Sequence, residues 1–153
     1  MDILKEFSQL VDALDNAGIP YATCGGLAMA VHGFVRATKD IDLMINETDL
    51  DAAFVVVRGL GYEIEGLPLN FREGDMRIRR ISRVDKEARM LMTVDFILVT
   101  KSMEDVWTGR ELREWQSGRA WVVSRSGLIK MKMLAGRDQD MLDIKKLQGD
   151  ETE

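Results

Sequence analysis

Cys24-Gly25-Gly26, followed after thirteen residues by Asp40-Ile41-Asp42-Leu43, is the stretch that decides the fold of this 153-residue chain. Residues i and i+2 of a strand share a face, so Asp40 and Asp42 form a carboxylate pair while Ile41 and Leu43 turn to the opposite, apolar side. Two like charges so close require a cation. An all-oxygen pair suits Mg²⁺ or Mn²⁺, which take one or two carboxylates and complete their shells with water and substrate phosphates. Upstream, Tyr21 to Cys24 reads as a short strand and Leu27 to Val31 as a short helix ending at His32-Gly33, which leaves Gly25-Gly26 in the tight turn between them. Missing side chains there let a phosphate approach the backbone amides, and the helix N-terminus supplies positive potential.

Working outward, Ile3, Leu4, Phe7, Leu10, Val11 and Leu14 recur at helical spacing and predict an amphipathic helix that stops near Gly18 and Pro20. Thr48 is expected to cap a helix carrying Leu50, Ala53, Phe54, Val57 and Leu60, closed by Gly61. Strands are expected at about Tyr62 to Glu65, Met76 to Arg83 and Met90 to Val99. The middle one alternates Met76, Ile78 and Arg80 with Arg77, Arg79 and Ile81, which reads as half exposed or at an edge. The last is almost wholly apolar except for Asp95. Val106-Trp107 and Trp115 to Val123 stay open between states. Ser126 is expected to cap a helix containing Leu128, Ile129, Met131, Met133 and Leu134, and a final helix runs from about Asp138 to Leu147. This alternation predicts an α/β (α+β) fold in which a mixed sheet is flanked by helices, with a strand order the residues do not disclose. One domain spans residues 1–148, and residues 149–153 read as a frayed tail.

The charge balance bears on partners. Lys and Arg number 21 against 26 Asp and Glu, a net charge of -5. Residues 1–50 hold 3 basic and 8 acidic side chains, and the remaining 18 of each cancel, so the excess lies within the first 50 residues, which include the Asp40-Asp42 strand. Such a balance opposes indiscriminate binding to nucleic acid or anionic membrane. Residues 72–89 run against it with seven basic and four acidic side chains, which reads first as a solvated strand face. Cys24 is the single cysteine, which excludes an internal disulfide and suits a reducing, cytoplasmic location. No apolar run is long enough to span a bilayer.

Asp95 is the third informative acid. Burying an isolated carboxylate in an apolar strand is unfavourable unless it faces a metal, a functional cleft or an arginine partner. If its strand neighbours that of Asp40, three acids converge into a cluster able to bind metal, align a nucleotide and accept the proton of an attacking hydroxyl.

The paired small residues, the Asp-hydrophobic-Asp strand and the later isolated Asp resemble the nucleotidyltransferase superfamily of DNA polymerase beta. More narrowly, Gly25-Gly26-Leu27-Ala28 through His32-Gly33, Arg36, Thr38 and Asp40-Ile41-Asp42-Leu43 is similar to the minimal nucleotidyltransferases related to abortive-infection and toxin–antitoxin systems. Leu128-Ile129-Lys130-Met131-Lys132 with Arg137, Asp140, Asp143 and Leu147 resembles their closing segment. The resemblance implies a nucleotidyltransferase-like fold and Mg²⁺-dependent transfer of a nucleoside monophosphate from an NTP to RNA, protein or a small molecule. It implies that Gly25 and Gly26 contact the triphosphate, that Asp40, Asp42 and Asp95 are the catalytic metal ligands, and that Asp95 activates the acceptor. Arg36, Thr38, Lys132 and Arg137 would complete the nucleotide site, and a cognate toxin or antitoxin would be the partner. The chain departs from the pattern at Gly26, where many relatives carry Ser, and at Gln139, where a basic residue is common.

A second reading makes the chain a catalytically idle domain that keeps the fold and binds nucleotide or protein, and the missing hydroxyl at Gly26 motivates it. His32 reads as a packing or capping residue, the ten methionines as core filling, and the three tryptophans as core or interface residues.

Overall fold

The structure is a computed structural model that describes residues 2–35, 37–115 and 118–149. Helix α1 (Ile3–Asn16) starts at Asp2, whose Oδ1 accepts the backbone N–H groups of Leu4 and Lys5, and it buries Phe7, Leu10, Val11 and Leu14. Strand β1 (Ala22–Cys24), helix α2 (Gly25–Val31), strand β2 (Asp40–Ile45) and helix α3 (Leu50–Gly59) follow. Four strands come next, namely β3 (Ile64–Glu65), β4 (Leu69–Phe71), β5 (Met76–Asp85) and β6 (Met90–Leu98). The chain closes with α4 (Glu104–Thr108), β7 (Glu111–Trp115), β8 (Gly118–Val122), α5 (Arg125–Ala135) and α6 (Asp138–Gly149).

Among the described residues all eight strands join one sheet in the order β3-β5-β6-β2-β1-β8-β7, with β4 added alongside β3 on β5. The β2–β6 and β1–β8 pairs are parallel and the rest antiparallel, so the sheet is mixed, as the alternation of elements predicts. Its two faces differ in chemistry. Ile41, Leu43, Val94 and Phe96 lie on one face, where the Phe96 ring meets Phe54 of α3 at 5.9 Å between centroids. Cys24, Asp40, Asp42, Asp95, Ile78, Arg80 and Ile97 lie on the other and line a cavity whose far wall is α5. Among the described residues no helix is long and apolar enough to cross a membrane.

Several local expectations change. The α2 helix begins at Gly25 itself, which adopts φ +63°. Thr48 does not cap α3, because a 3-10 turn over Glu47–Asp49 precedes it and leaves Asp49 at the N-cap. Ser124 rather than Ser126 caps α5, accepting the Gly127 N–H at 3.1 Å. Strand β5 is not at an edge, since β3 and β4 pair along its outer side, but it is half exposed as its alternation predicts. The last helix runs on to Gly149, and the rest of the expected tail, residues 150–153, lies outside the described residues. The tryptophans do pack: Trp115 meets Phe7 edge-on at 5.2 Å, and Trp107 and Trp121 lie 4.0 and 5.1 Å from the Arg110 guanidinium.

Candidate active site

The three acids come from two adjacent strands. In the parallel β2–β6 register Asp42 stands directly beside Asp95 and Asp40 beside Thr93, so one face presents Asp40, Asp42 and Asp95 together. Gly25 is what admits Asp42. A Cβ at position 25 would overlap Asp42 Oδ2, and its positive φ is one that L side chains rarely adopt. Gly26 is constrained from the other side, since a Cβ there would fall 2.8 Å from both Cβ and Oγ1 of Thr38. Thr38 donates its hydroxyl to the Asp40 carbonyl at 3.2 Å and thereby ties the loop to the start of β2. A serine at position 26 would need the space that Thr38 fills, which accounts for the departure noted in the sequence.

Asp42 opens onto the cavity but sits deep in the sheet. Burial, then the neighbouring Asp95 and Asp40 charges, push its carboxyl up to about 7, against weaker pull from Arg137 and Lys132. Asp40 is also raised, first by burial and then by Asp95. Among the described residues no hydrogen-bond donor or ion-pair partner contacts either group. A pair of desolvated, unpartnered carboxylates facing a cavity fits a small divalent cation such as Mg²⁺.

The third acid differs from the expectation of three converging ligands. Arg80, the cross-strand partner of Asp95 on β5, donates from Nε to Oδ1 at 2.7 Å and from Nη2 to Oδ2 at 2.9 Å. This bidentate pair occupies both Asp95 oxygens and raises the arginine further above its ordinary range. Among the described residues no three His, Cys, Asp or Glu side chains converge as a metal-ligating group. Two carboxylates remain for a metal.

Lys132 and Arg137 both line the cavity, and both are committed to acids. Lys132 is 5% exposed and donates to Asp143 at 2.8 Å, with Asp140 3.6 Å away. Arg137 is largely exposed and grips Asp140 through Nε at 2.7 Å. Gln139, in the position where a basic residue is common, donates its amide to Asp143 at 2.9 Å and completes this α5–α6 network. Arg36 lies outside the described residues. His32 bonds the Val123 carbonyl at 2.9 Å, and Cys24 is buried with its thiol raised by that burial. The basic stretch is largely partnered too, with Arg77 on Glu47, Arg79 on Asn70 and Arg83 on Glu6.

No protein-family model matches the sequence, and no curated protein does. Solved structures do resemble it. TM1012 of Thermotoga maritima, a nucleotidyltransferase candidate, superposes with a TM-score of 0.63 at 12% identity over 97% of this chain and 93% of its own. The lincosamide antibiotic adenylyltransferase LnuA, solved with lincomycin, gives 0.59 at 12% over 94% and 95%. ANT(2")-Ia, solved with adenylyl-2"-tobramycin, gives 0.60 at 16% over 94% and 85%. The chain has a nucleotidyltransferase-like fold.

In this nucleotidyltransferase-like fold the reading from residues alone misses Arg80 and the apolar half of the cavity. The cavity measures about 550 Å³, and beyond the acids its wall is Leu69, Phe71, Ile78, Leu128, Met131 and Leu134. Arg72 bridges the mouth by donating to the Leu134 carbonyl at 2.9 Å. The alternation of Met76, Ile78 and Arg80 carries the missing signal, since it sets Arg80 on the same face as the two apolar residues of that wall. Strand β4, which supplies Leu69 and Phe71, has too short a pattern to read.

Proposed function

We propose that the chain transfers a nucleoside monophosphate from an NTP to a hydroxyl on a small acceptor held in this cavity. The observation that carries the reading is the juxtaposition of the Gly25 turn with Asp42 and Asp95 on one face of a nucleotidyltransferase-like sheet. Asp40 and Asp42 would hold a divalent ion such as Mg²⁺, which supplies charge neutralisation on the triphosphate when bound. Gly25 and Gly26 open α2 and would contact the triphosphate through their backbone, while Asp42 and Thr38 fill the space their missing side chains leave. Arg137, exposed over the cavity, is the cation placed to meet phosphate, and a nucleotide-binding role for Arg36 rests on the sequence resemblance alone. Lys132 acts at one remove by holding Asp140 and Asp143. Asp95 accepts the proton of the attacking hydroxyl, and Arg80 holds that carboxylate in its orientation.

The apolar wall of Leu69, Phe71, Ile78, Leu128, Met131 and Leu134 favours an uncharged small molecule with an apolar face over a polyanion as the acceptor. RNA or protein acceptors, a cognate toxin or antitoxin partner and a cytoplasmic location rest on the sequence resemblance alone. Coexpression with the products of neighbouring genes, read as rescue or arrest of growth, tests that extension. Incubation with α-labelled NTP and candidate acceptors tests the activity itself, with label transfer and pyrophosphate release expected from the native chain and abolished in Asp42→Ala. Unchanged transfer in that variant sinks the assigned site.

The idle-domain reading is favoured by one observation, the capture of Asp95 by Arg80. Tight NTP binding with no pyrophosphate release under any acceptor would decide for it.

A further inference from the structure

The Arg80–Asp95 pair is more specific than a charge neutralised by chance. Asp42 and Asp95 stand side by side on neighbouring parallel strands, with Asp40 on the same face, so three carboxylates share one small region of low dielectric. One divalent ion does not balance three such charges, and a site of this kind requires a further cation. The next strand supplies it. Arg80 is the residue paired with Asp95 in the β5–β6 register, and its planar fork covers both carboxylate oxygens at 2.7 and 2.9 Å. Asp95 is 8% exposed and Arg80 44%, so the acid is enclosed while the guanidinium reaches the cavity. Among the described residues Nη1 of Arg80 has no hydrogen-bond partner, which leaves that nitrogen to meet an anion. Around Asp40 and Asp42 the situation is the reverse: Lys132 and Arg137 are held by Asp140 and Asp143, and no cation among the described residues is paired with either acid.

We propose that Arg80 takes the place of a second metal ion, so that the chain loads a single divalent ion on Asp40 and Asp42 while Asp95 stays paired with the guanidinium. This rests on the metal-dependent reading above and deepens it. An arginine cannot be titrated away or diluted out, so the charge at Asp95 is permanent and independent of metal supply. Its free Nη1 then gives a fixed donor beside the position where a metal would otherwise coordinate phosphate.

Titration with Mn²⁺ alone, followed by electron paramagnetic resonance of the free ion, reads the stoichiometry directly. One ion per native chain is expected, one in Asp95→Asn, and two in Arg80→Gln, which uncovers the third carboxylate. The Nε–H resonance of Arg80, assigned by its disappearance in Arg80→Gln, gives a second readout that needs no folded variant at saturation. It is expected to keep its hydrogen-bonded position when the native chain is saturated with diamagnetic Mg²⁺. Two ions on the native chain, a single ion on folded Arg80→Gln, or a resonance that moves to its solvent-exposed position overturns the proposal. A native chain that binds no Mn²⁺, or binding untouched by Asp42→Asn, instead overturns the metal-dependent reading beneath it.

Discussion

Gly25 leaves open the volume that the Asp42 carboxylate fills, and the two residues define each other's conformation. The glycine sits at φ +63°, a value that any side chain makes unfavourable, and a methyl there would collide with Oδ2. Gly25→Ala therefore combines backbone strain with displacement of a site acid. We expect a loss of about 2 to 4 kcal/mol in unfolding free energy, summing a left-handed strain term and an overpacking term. Urea denaturation measures it. Gly18→Ala is the control: it shares the positive φ at +71° with nothing within 4 Å, and should lose only about 1 kcal/mol.

The contact between Gly26 and Thr38 predicts a coupled pair. Gly26→Ala alone presses a methyl against Thr38 and should destabilise by about 1 to 3 kcal/mol. In a Thr38→Gly background the same change loses its three nearest contacts, so its effect should shrink by more than half. A double-mutant cycle of thermal or chemical unfolding gives the coupling term, and strict additivity would show that the two residues do not touch.

Much of this region is legible in the residues themselves. The Asp40–Ile45 strand, the glycine turn and the isolated acid on β6 follow from period-two alternation, missing side chains and one charge in an apolar run. What resists reading is whatever depends on strand order. Asp95 carries no mark of lying beside Asp42, because parallel neighbours are joined through a long crossover and not through a turn. Arg80 is invisible as a site residue for the same reason. Strand β7, Glu111-Leu112-Arg113-Glu114-Trp115, shows little apolar periodicity because it is an edge strand held by hydrogen bonds to β8 and largely open to solvent. The caps lie one and two residues from the expected Thr48 and Ser126, at Asp49 and Ser124, since neighbouring polar residues each suit a helix start and tertiary packing selects between them.

The raised Asp42 carboxyl gives a pH dependence of definite sign. Between the ordinary carboxylate value of 3.8 and the folded value of about 7 the native chain holds a proton that the unfolded chain has released. Unfolding then releases protons, so the stability of the metal-free protein falls as pH rises through that window. A divalent ion held by Asp40 and Asp42 would reverse the trend, because it binds only the ionised form. In the presence of a chelator the melting temperature should drop between pH 5 and 8, and Mg²⁺ should raise it more at pH 8 than at pH 6. A Mg²⁺ effect that is flat across this range would place the ion elsewhere.

Removal of the Lys132 charge should be severe. Lys132→Met keeps most of the volume yet leaves Asp143, fully buried, without its closest cation and Asp140 with Arg137 alone. Breaking one partner of a buried pair costs about 3 to 5 kcal/mol, and calorimetric unfolding should show a loss of that order. Arg137→Ala, on an exposed side chain, should lose about 1 kcal/mol or less while raising the KM for NTP. That contrast separates a residue that builds the local structure from one proposed to meet substrate.

The parallel pairing of β2 with β6 also dictates when the site comes into being. Asp42 and Asp95 are joined through α3, β3, β4 and β5, so the contact that unites them closes a loop of more than fifty residues. Loop closure of that span is entropically late, and its rate is governed by topology more than by local propensity. A ribosome-bound chain therefore carries the Gly25 turn and the Asp40–Asp42 strand well before it carries a working centre. Acquisition of the site is a readout of completed long-range folding, and a destabilised variant should lose it in one cooperative step with the sheet.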